Sequence, residues 1–414
     1  QVQTGGVYPR GVPAHQRDLE GAPGPGGGDH QGAGRVGGDG VMAKLEDVCS
    51  INMGQSPESS SYNETGEGIP FFQGNADFGE LHPTVRVWCN APTKIAKQGD
   101  ILISVRAPIG ALNIANVKCC IGRGLAALSV NERLCYQKYL WYALECKVDE
   151  LNSKGTGSTF KAINKKTLAE TEISLPPLDE QRRIAAVLDK VSGLIAKRRE
   201  QLDKLDELVK VRFVEMFGDE TEFDRWPSCT IGDVADICVG VVIKPTQYYA
   251  DQGIPAFRSL NIGEMRVKDG DWVYFTKEGH QKNQKSVVRK NDVLVVRSGA
   301  PGTACVATEK YDGYNAVDII IAHPDNTKVD SIFLAAFTNM PHGMNQIRGR
   351  TGGAAQQHFN VGGYKTLRLI MPPMDQQQKF ASFVKQTDKS KLTIQQSLDK
   401  LEVLKKALMQ QYFG

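Results

Sequence analysis

Apolar residues recur at alternating spacings of three and four over two long stretches of the chain, and this pattern predicts two long helices. Seven of nine such positions are apolar in the first stretch and six of nine in the second. A spacing of this kind kept over about four to five heptads is typical of helices that pack along a coiled-coil seam. The predicted seam residues are Leu188, Val191, Ile195, Leu202, Leu205, Val209 and Met216 in the first helix and Val384, Ile394, Leu398, Leu401, Leu408 and Tyr412 in the second.

The two helical stretches are copies of each other. LPPLDEQ begins at residue 175 and MPPMDQQ at residue 371, and the copies stay in register at an offset of 196. Because proline cannot donate to a sheet ladder, the double proline ends the preceding strand, and Asp179 or Asp375 then favours the start of a helix. We expect helices over 176–218 and 372–414 that pack on each other in antiparallel orientation. Residues 179–217 would span roughly 58 Å at about 1.5 Å per residue.

The repeat extends upstream of both helices. GDILISVRAPIGA at 99–111 resembles NDVLVVRSGAPGTA at 291–304, and GTGSTFKAIN lies over TGGAAQQHFN at the same offset of 196. Short β-branched runs alternate there with glycine, proline and asparagine turns, which favours strands. The sequence predicts a mixed α/β fold of two similar globular domains with curved sheets, at 42–175 and 219–371, separated by the two long antiparallel coiled-coil helices in a pseudo-two-fold internal repeat.

Residues 1–41 follow neither periodicity. They contain GAPGPGGGDHQGAGRVGGDG, which is rich in glycine and proline and poor in large apolar residues. Such a segment buries too little apolar surface to offset the entropy of ordering it. We expect a flexible leader before the first domain.

Composition places the rest of the chain among ordinary globular proteins. Hydrophobic residues make up 41% and charged residues 23% of the sequence, and no apolar run approaches the roughly 20 residues that a membrane-spanning helix needs. The nine cysteines include no C-x-x-C pair, so we expect reduced thiols rather than a disulfide framework or a metal site. These features predict a soluble, cytoplasmic protein.

The familiar signatures of catalysis are absent from the sequence. There is no G-x-x-x-x-G-K-[ST], no G-x-S-x-G and no H-E-x-x-H, which would indicate phosphate binding, a nucleophilic serine and zinc-dependent hydrolysis respectively. Nor is there the Asn- or Asp-Pro-Pro-aromatic tetrad of amino-methyltransferases. We expect no catalytic site on this chain, and a stand-alone enzyme with a hidden site stays an open alternative.

The distribution of charge points to nucleic acid more clearly than the net charge of +3 does. Two stretches, 151–168 and 341–368, are basic and contain no acidic residue. Arginine, lysine, asparagine and glutamine contact base edges, while serine, threonine and basic side chains hold phosphates. The candidate DNA-binding residues are Gln73, Asn75, Arg106, Lys154, Thr156, Ser158, Thr159 and Lys161 in the first domain, and Arg258, Ser259, Asn261, Arg297, Arg348, Arg350, Gln356, Gln357 and His358 in the second. Any single one of them could instead be an ordinary solvated loop residue.

The repeated domain, the double-proline motif and the long helix together resemble the specificity subunit of type I restriction–modification systems. The stretch GTGSTFKAINKKTLAETEISLPPLDEQRRIAAVLD carries the closest resemblance, and the likeness covers 42–414. It implies two target-recognition domains that each read one half of a bipartite, asymmetric double-stranded DNA target. It also implies that the helices set the spacing of the halves and dock two methyltransferase subunits, to which restriction or motor subunits can be added.

The same resemblance implies that this chain holds no cofactor, since S-adenosylmethionine would be bound by the partner methyltransferase. Two points depart from the family pattern. The family offers no counterpart for residues 1–41, and the second helix carries glutamine and lysine where the first has acidic, arginine and apolar residues. Unequal partner binding by the two helices is therefore left open, as is a protein-interaction scaffold of a related defence complex that reads no sequence.

Overall fold

The computed structural model describes residues 41–157, 161–350 and 358–414, and within them the chain folds as two copies of one α/β unit, each followed by a long helix. Residues 1–40 of the expected leader lie outside the described residues. The expectation of a mixed α/β fold built from two similar units is confirmed.

The first unit spans 41–175. Its strands are Val41–Lys44, Cys49–Met53, Tyr62–Asn63, Ile69–Phe72, Trp88–Cys89, Ile95–Ala96, Ile101–Ser104, Leu112–Ile114, Cys119–Ile121, Leu125–Val130 and Glu172–Leu175. Its α-helices are Leu45–Val48, Gln137–Cys146, Val148–Ser153 and Lys165–Ala169, and its 3₁₀ turns are Ser59–Ser61 and Asn75–Asp77.

The second unit repeats this order of elements. Its strands are Ser228–Thr230, Ala235–Val239, Tyr249–Ala250, Ile254–Phe257, Ile262–Gly263, Arg266–Val267, Val273–Phe275, Val293–Val296, Ala304–Val306, Asn315–Ala316, Ile319–Pro324 and Arg368–Ile370. Its α-helices are Ile231–Val234, Lys277–Lys282, Ser331–Asn339, Pro341–Arg348 and Val361–Lys365. Its 3₁₀ turns are Pro245–Tyr248, Ser259–Asn261, Gln284–Ser286 and Glu309–Tyr311, and Phe223–Arg225 precedes it.

A four-stranded antiparallel sheet forms the middle layer of each unit. The strand order is Cys49–Met53, Leu125–Val130, Ile101–Ser104, Leu112–Ile114 in the first unit and Ala235–Val239, Ile319–Pro324, Val293–Val296, Ala304–Val306 in the second. Ile101 and Ile103 pack in the core that contains helix Gln137–Cys146, whereas Leu102 packs in a second core on the opposite face. Because both faces are covered, strand Ile101–Ser104 is buried at every position and begins with three apolar residues in a row.

The turns next to these sheets also match between the units. Gly110 and Gly302 have φ angles of +93° and +94°, in the region that glycine adopts without steric cost. The backbone N–H of Gly110 donates to the Ser104 carbonyl at 2.9 Å, and that of Gly302 donates to the Val296 carbonyl at 3.0 Å. The repeat seen in the sequence is therefore a repeat of backbone geometry.

A second sheet in each unit, with five short strands in the first unit and four in the second, contains one parallel pair of strands that leads to the loops of the candidate site. In the first unit Phe72 lies opposite Ile121, and in the second Phe257 lies opposite Ala316. The chain leaves both partner strands at the same edge, because parallel strands end at the same side of a sheet.

Two helices of 40 residues each, Leu178–Phe217 and Met374–Phe413, follow the units. Both begin directly after the proline pair, where a missing backbone N–H costs nothing because the first helical N–H groups have no partner within the helix. The first helix ends at Gly218, whose φ of +90° takes the chain out of the helix.

Gln181 and Gln377, in the first turn of each long helix, are buried and bind the helix to its unit. The Oε1 atom of Gln181 accepts from the backbone N–H of Tyr136 at 2.7 Å, and that of Gln377 accepts from the N–H of Asp330 at 3.0 Å. The Nε2 atom of each glutamine donates to the carbonyl of the first proline of its own pair, at 2.8 Å in both units. The glutamine of the repeated motif therefore holds the junction of strand, proline pair and helix together.

The two long helices pack on each other in antiparallel orientation. Arg199 pairs with Glu402 at 2.7 Å, and further along the first helix Asp206 pairs with Lys391 at 2.6 Å. The residue number rises along one helix as it falls along the other, which fixes the relative direction. The apolar cluster between the helices consists of buried Val191, Ile195 and Leu398 and half-buried Leu202, Leu401 and Leu408.

The other predicted seam residues lie closer to the two units. Leu188 is buried in the first core, where Leu408 and Tyr412 also pack; Val209 and Val384 are buried in the core of the second unit, with Met216 beside them; Leu205 and Ile394 are half-buried. The first helix thus enters a core at both ends. From Leu188 to Val209 its span between the cores is about 32 Å, at about 1.5 Å per residue.

The end of the second long helix returns to the first unit. The ring of Phe413 lies 5.1 Å from that of Tyr139, and the Lys405 ammonium lies 2.8 Å from the Glu145 carboxylate. Both helices therefore connect both units. No helix in the described ranges combines the length and the apolar character that crossing a membrane requires.

Candidate nucleic-acid interface

The loop after strand Ile69–Phe72 carries two predicted DNA-binding residues, Gln73 and Asn75. Its shape is fixed by Asp77, whose carboxylate accepts from the backbone N–H of Gln73 at 2.7 Å. The same carboxylate forms an ion pair with Arg86 at 3.0 Å, so its charge is compensated within the loop. The side chains of Gln73 and Asn75 form no hydrogen bond with any described residue.

The basic stretch of the first unit is held against the end of a central strand. Arg106 and Thr156 each pair with Ala162 through an isolated antiparallel bridge. The N–H of Ala107 donates to the Lys161 carbonyl at 3.0 Å. Arg106 and Lys161 are exposed, so the structure brings together residues that lie more than fifty positions apart in the sequence.

A cleft of about 350 Å³ lies between the loop that carries Gln73 and Asn75 and Arg106 at the end of the central strand. It is lined by Gln73, Asn75, Asp77, Arg106, Arg123 and neighbouring small residues. Sequence reasoning missed Arg123, which lies in a short Gly-Arg-Gly link between two strands. The sequence does carry a signal for Arg123. A residue between two glycines that join two strands lies in a turn at the end of those strands.

The remaining candidates of the first unit differ in their surroundings. Lys154 pairs with Glu150 at 2.6 Å, and this hydrogen bond lowers the pKa of the Glu150 carboxyl. The hydroxyl of Thr156 donates to the Ala162 carbonyl at 3.5 Å. Ser158 and Thr159 lie outside the described residues.

The second unit holds its basic stretch in the same way. Ser298 pairs with His358 through an isolated antiparallel bridge, and the N–H of Phe359 donates to the Arg297 carbonyl at 2.9 Å. The equivalent bond in the first unit runs from Ile163 to Val105, also at 2.9 Å. Arg106 and Ser298 therefore occupy equivalent positions, as do Val105 and Arg297.

Arg297 is nearly buried and bonded on three sides. Its guanidinium pairs with Asp318 at 2.7 Å, donates through Nε to the Phe359 carbonyl at 3.2 Å, and contacts Nε2 of His358. Since a guanidinium only donates, Nε2 of His358 accepts and the ring proton is assigned to Nδ1. That nitrogen lies 2.8 Å from the Ser298 hydroxyl, whose oxygen can accept a hydrogen bond from it.

The loop with Arg258, Ser259 and Asn261 is also shaped by internal hydrogen bonds. Asn261 is fully buried, accepts from the Arg258 N–H at 2.9 Å and donates to the Gly270 carbonyl at 2.7 Å. Arg258 donates to the Asp271 carbonyl, and Ser259 is half-buried. Because both polar atoms of its side chain are used inside the loop, Asn261 is excluded from the interface proposed below.

The last candidates follow helix Pro341–Arg348. Arg348 and Arg350 are exposed, and Arg350 donates to the carbonyls of Gly363 and Thr366, both at 3.1 Å. Gln356 and Gln357 lie outside the described residues. In the described part of the chain, no group of three or more histidine, cysteine, aspartate or glutamate side chains is arranged to hold a metal ion.

Comparison with known families identifies a relationship on both units. The sequence model of the type I restriction modification DNA specificity domain matches residues 39–206 and 224–405. The putative type I restriction enzyme MjaX specificity subunit of Methanocaldococcus jannaschii is 44% identical over 165 residues, which cover 40% of this chain and 39% of that protein. The chain therefore spans about two fifths of the length of that relative.

Other relatives cover nearly the whole chain at lower identity. The type I restriction enzyme MjaIX specificity subunit of the same organism is 22% identical over 409 residues, covering 91% of this chain and 93% of the relative. The crystal structure of the type I restriction–modification system S subunit from M. genitalium superposes with a TM-score of 0.53 at 15% identity, covering 92% of this chain and 98% of that one. This last likeness concerns the fold.

Proposed function

This chain belongs to the family of type I restriction modification DNA specificity domains, and we propose that it reads the two halves of a bipartite, asymmetric DNA target. Each unit acts as one target-recognition domain. The observation that carries the proposal is the equivalent attachment of a basic, acid-free stretch to the same strand end in both units. Basic and amide side chains at such a place suit contacts to phosphates and base edges.

The two units present different side chains at equivalent places, which supports an asymmetric target. Arg106 of the first unit corresponds to Ser298 of the second, and Gln73 corresponds to Arg258. Base recognition depends on the pattern of donors and acceptors that meets each base edge. Two halves of different sequence are therefore expected.

The helix pair sets the distance between the two DNA halves and docks two methyltransferase subunits. Both helices enter the cores of the units, so a change in helix length changes the separation of the two recognition surfaces. The outer face of the first helix leaves Val187, Leu194, Leu208 and Val211 exposed. Val187, Leu194 and Leu208 are spaced by multiples of seven residues and form an apolar stripe that a partner helix can cover.

Catalysis is assigned to the partners. The methyltransferase subunits bind S-adenosylmethionine and modify adenine, and restriction or motor subunits can join the same assembly. This chain contributes recognition and spacing and has no catalytic residue of its own. All nine cysteines are free thiols, in keeping with a complex that acts on DNA in the reducing cytoplasm.

Methylome sequencing of a host that carries this chain with its methyltransferase tests the proposal. The expected result is a methylated motif of two short, different sequences separated by a fixed number of unread base pairs. Binding of the purified complex to that motif should weaken steeply with salt, because phosphate contacts release counterions. Equal binding of target and random duplexes at physiological salt would contradict sequence reading and leave the interaction scaffold as the better account.

A further inference from the structure

One short link between two strands carries a different charge in the two units. It joins strand Cys119–Ile121 to Leu125–Val130 in the first unit and strand Asn315–Ala316 to Ile319–Pro324 in the second. The N–H of Gly122 donates to the Phe72 carbonyl at 2.8 Å, and the N–H of Val317 donates to the Phe257 carbonyl at 2.8 Å. The residue after this bond is Arg123 in the first unit and Asp318 in the second. The second link is one residue shorter, so Asp318 stands where the first unit has Arg123 and the glycine after it.

In the first unit this position adds to a cationic cleft. Arg106 and Arg123 both line the cleft and both are exposed. Neither guanidinium forms an ion pair or hydrogen bond with the residues that the structure describes. The acidic residue of the cleft, Asp77, already pairs with Arg86. The guanidinium groups of Arg106 and Arg123 can therefore donate to an acceptor that binds in the cleft.

In the second unit this position holds an acidic residue, Asp318, in place of an arginine. Asp318 pairs with Arg297 at 2.7 Å, and the Arg297 side chain keeps only 10% of its surface exposed. The first unit has Val105 at the position of Arg297 and so has no corresponding pair. Asp318 thus stands where the first unit has Arg123, and it also compensates the charge of Arg297 in its own unit.

We propose that Arg123 and Asp318 are specificity-determining residues that give the two target-recognition domains different local charge, cationic at Arg123 in the first domain and compensated by the Asp318–Arg297 pair in the second. Arg123, together with Arg106, binds an oxygen- or nitrogen-rich acceptor group of DNA in the first half-site. Phosphate oxygens and the O6 and N7 atoms of guanine share this chemistry, since both accept from a guanidinium. Asp318 holds Arg297 within the protein, so the second half-site makes a weaker ionic contact at the equivalent place. This inference rests on the DNA-reading function proposed above.

The test compares Arg123→Ala with wild type in the complex with methyltransferase subunits. One probe is a duplex with the target sequence that methylome sequencing identifies. The other is a duplex of equal length with random sequence. Arg123→Ala should weaken binding to the motif by about tenfold, within the range found for specific arginine contacts. The matched control is Arg133→Ala, an exposed arginine of the same unit that does not line the cleft, with an expected change of less than about twofold.

The two duplexes distinguish the two sources of the acceptor. If Arg123 binds a phosphate, both duplexes lose affinity equally and the slope of log K against log salt falls in magnitude by about one. If it binds a guanine edge, only the motif loses affinity and the preference at one position of the first half relaxes. A change within about twofold on both duplexes, in a complex whose wild type prefers the motif, overturns the inference while the proposed function stands. A wild-type complex without any preference overturns both.

Asp318→Asn tests the second unit. Asparagine fits the volume of aspartate and tolerates the φ of +48° at this position, because its side chain stabilises left-handed backbone. Loss of the carboxylate frees the charge of Arg297, so the random duplex should bind about two- to fivefold more tightly, with a salt slope about one larger in magnitude. Unchanged or weaker binding by a variant with wild-type thermal unfolding would contradict the role of Asp318.

Discussion

Gln181 and Gln377 make the same two hydrogen bonds in the two units, although 196 residues separate them. The Oε1 atom of Gln181 accepts from the backbone N–H of Tyr136, which precedes helix Gln137–Cys146, and that of Gln377 accepts from the N–H of Asp330, which precedes helix Ser331–Asn339. The Nε2 atom of each donates to the carbonyl of the first proline before the long helix. One buried amide thus joins three segments of backbone in each unit.

Gln377→Ala should destabilise the second unit. Removal of the Gln377 amide leaves the N–H of half-buried Asp330 and the carbonyl of buried Pro372 without partners, which costs about 1–3 kcal/mol. Urea unfolding measures the loss, and hydrogen exchange should detect faster exchange of the Asp330 amide. Gln378→Ala changes an exposed glutamine of the same helix and is expected to alter stability by less than about 0.5 kcal/mol. Equal effects of the two variants would argue against the junction.

Packing of the helix pair should depend on apolar contacts more than on ion pairs. Leu398 is buried between the helices, so Leu398→Ala should cost about 2–5 kcal/mol of unfolding free energy. Glu402 and Arg199 are both exposed, and a double-mutant cycle on them should give a coupling of about 1 kcal/mol or less. Leu392→Ala is the control, since Leu392 is 60% exposed. A coupling energy larger than the loss in Leu398→Ala would reverse this order.

The second unit should lose stability at alkaline pH through His323. Its Nδ1 lies 2.7 Å from the Asp292 carboxylate, and this hydrogen bond raises the pKa of His323 to about 9. Because the folded pKa lies above the unfolded value, the contribution is complete below about pH 6.5 and is lost as pH rises through 9. The shift corresponds to about 3 kcal/mol.

Two measurements check this pH dependence. The stability difference between wild type and His323→Gln should shrink as pH rises from about 6.5 to 9. An NMR titration should place the His323 midpoint near pH 9 and should show a lower midpoint in Asp292→Asn. In the first unit Ser129 occupies the equivalent place and donates to Asp100 at 2.7 Å. A wild-type midpoint near 6.5 would contradict the effect of Asp292.

The helix pair should set the spacing of the two DNA halves. Removal of seven residues from each helix, 198–204 and 394–400, keeps the heptad seam in register and shortens the pair by about 10 Å. The unread spacer should therefore shrink by about three base pairs, as methylome sequencing would reveal, while both half-sites stay the same. Alanine at the exposed Gln201 and Lys204 changes the same segment without changing its length. An unchanged spacer in the shortened complex would rule out this role.

The sequence was sufficient to predict the fold class. It was not sufficient to predict which surface covers each apolar position of the long helices. Internal repetition and short β-branched runs predicted two similar α/β units, and this was correct. The apolar periodicity found positions such as Leu188 and Val209 but could not say what covers them. Leu188 packs in the first core and Val209 in the second, because a periodic stripe indicates that a face is buried and not which surface buries it.

In the candidate site, residue type indicated which side chains could contact DNA but not which of them are bound by other residues of the protein. Arg106 and Gln73 were chosen from residue type and the structure places both in one cleft. Arg297 is a DNA-binding candidate on the same grounds, yet Asp318, 21 residues away in the sequence, binds it within the protein. A pairing of this kind has no local sequence signal, since it depends on two strands that meet only in the folded sheet. DNA contact by these residues stays a prediction.

The return of the second long helix to the first unit also affects the order in which the protein can fold during synthesis. Tyr139 belongs to the first core, and Phe413 packs beside it. A ribosome makes the first unit long before residues 408–413, so part of that core stays uncovered until those residues emerge. The first unit to be translated is therefore completed only after the second unit and the second long helix have been made.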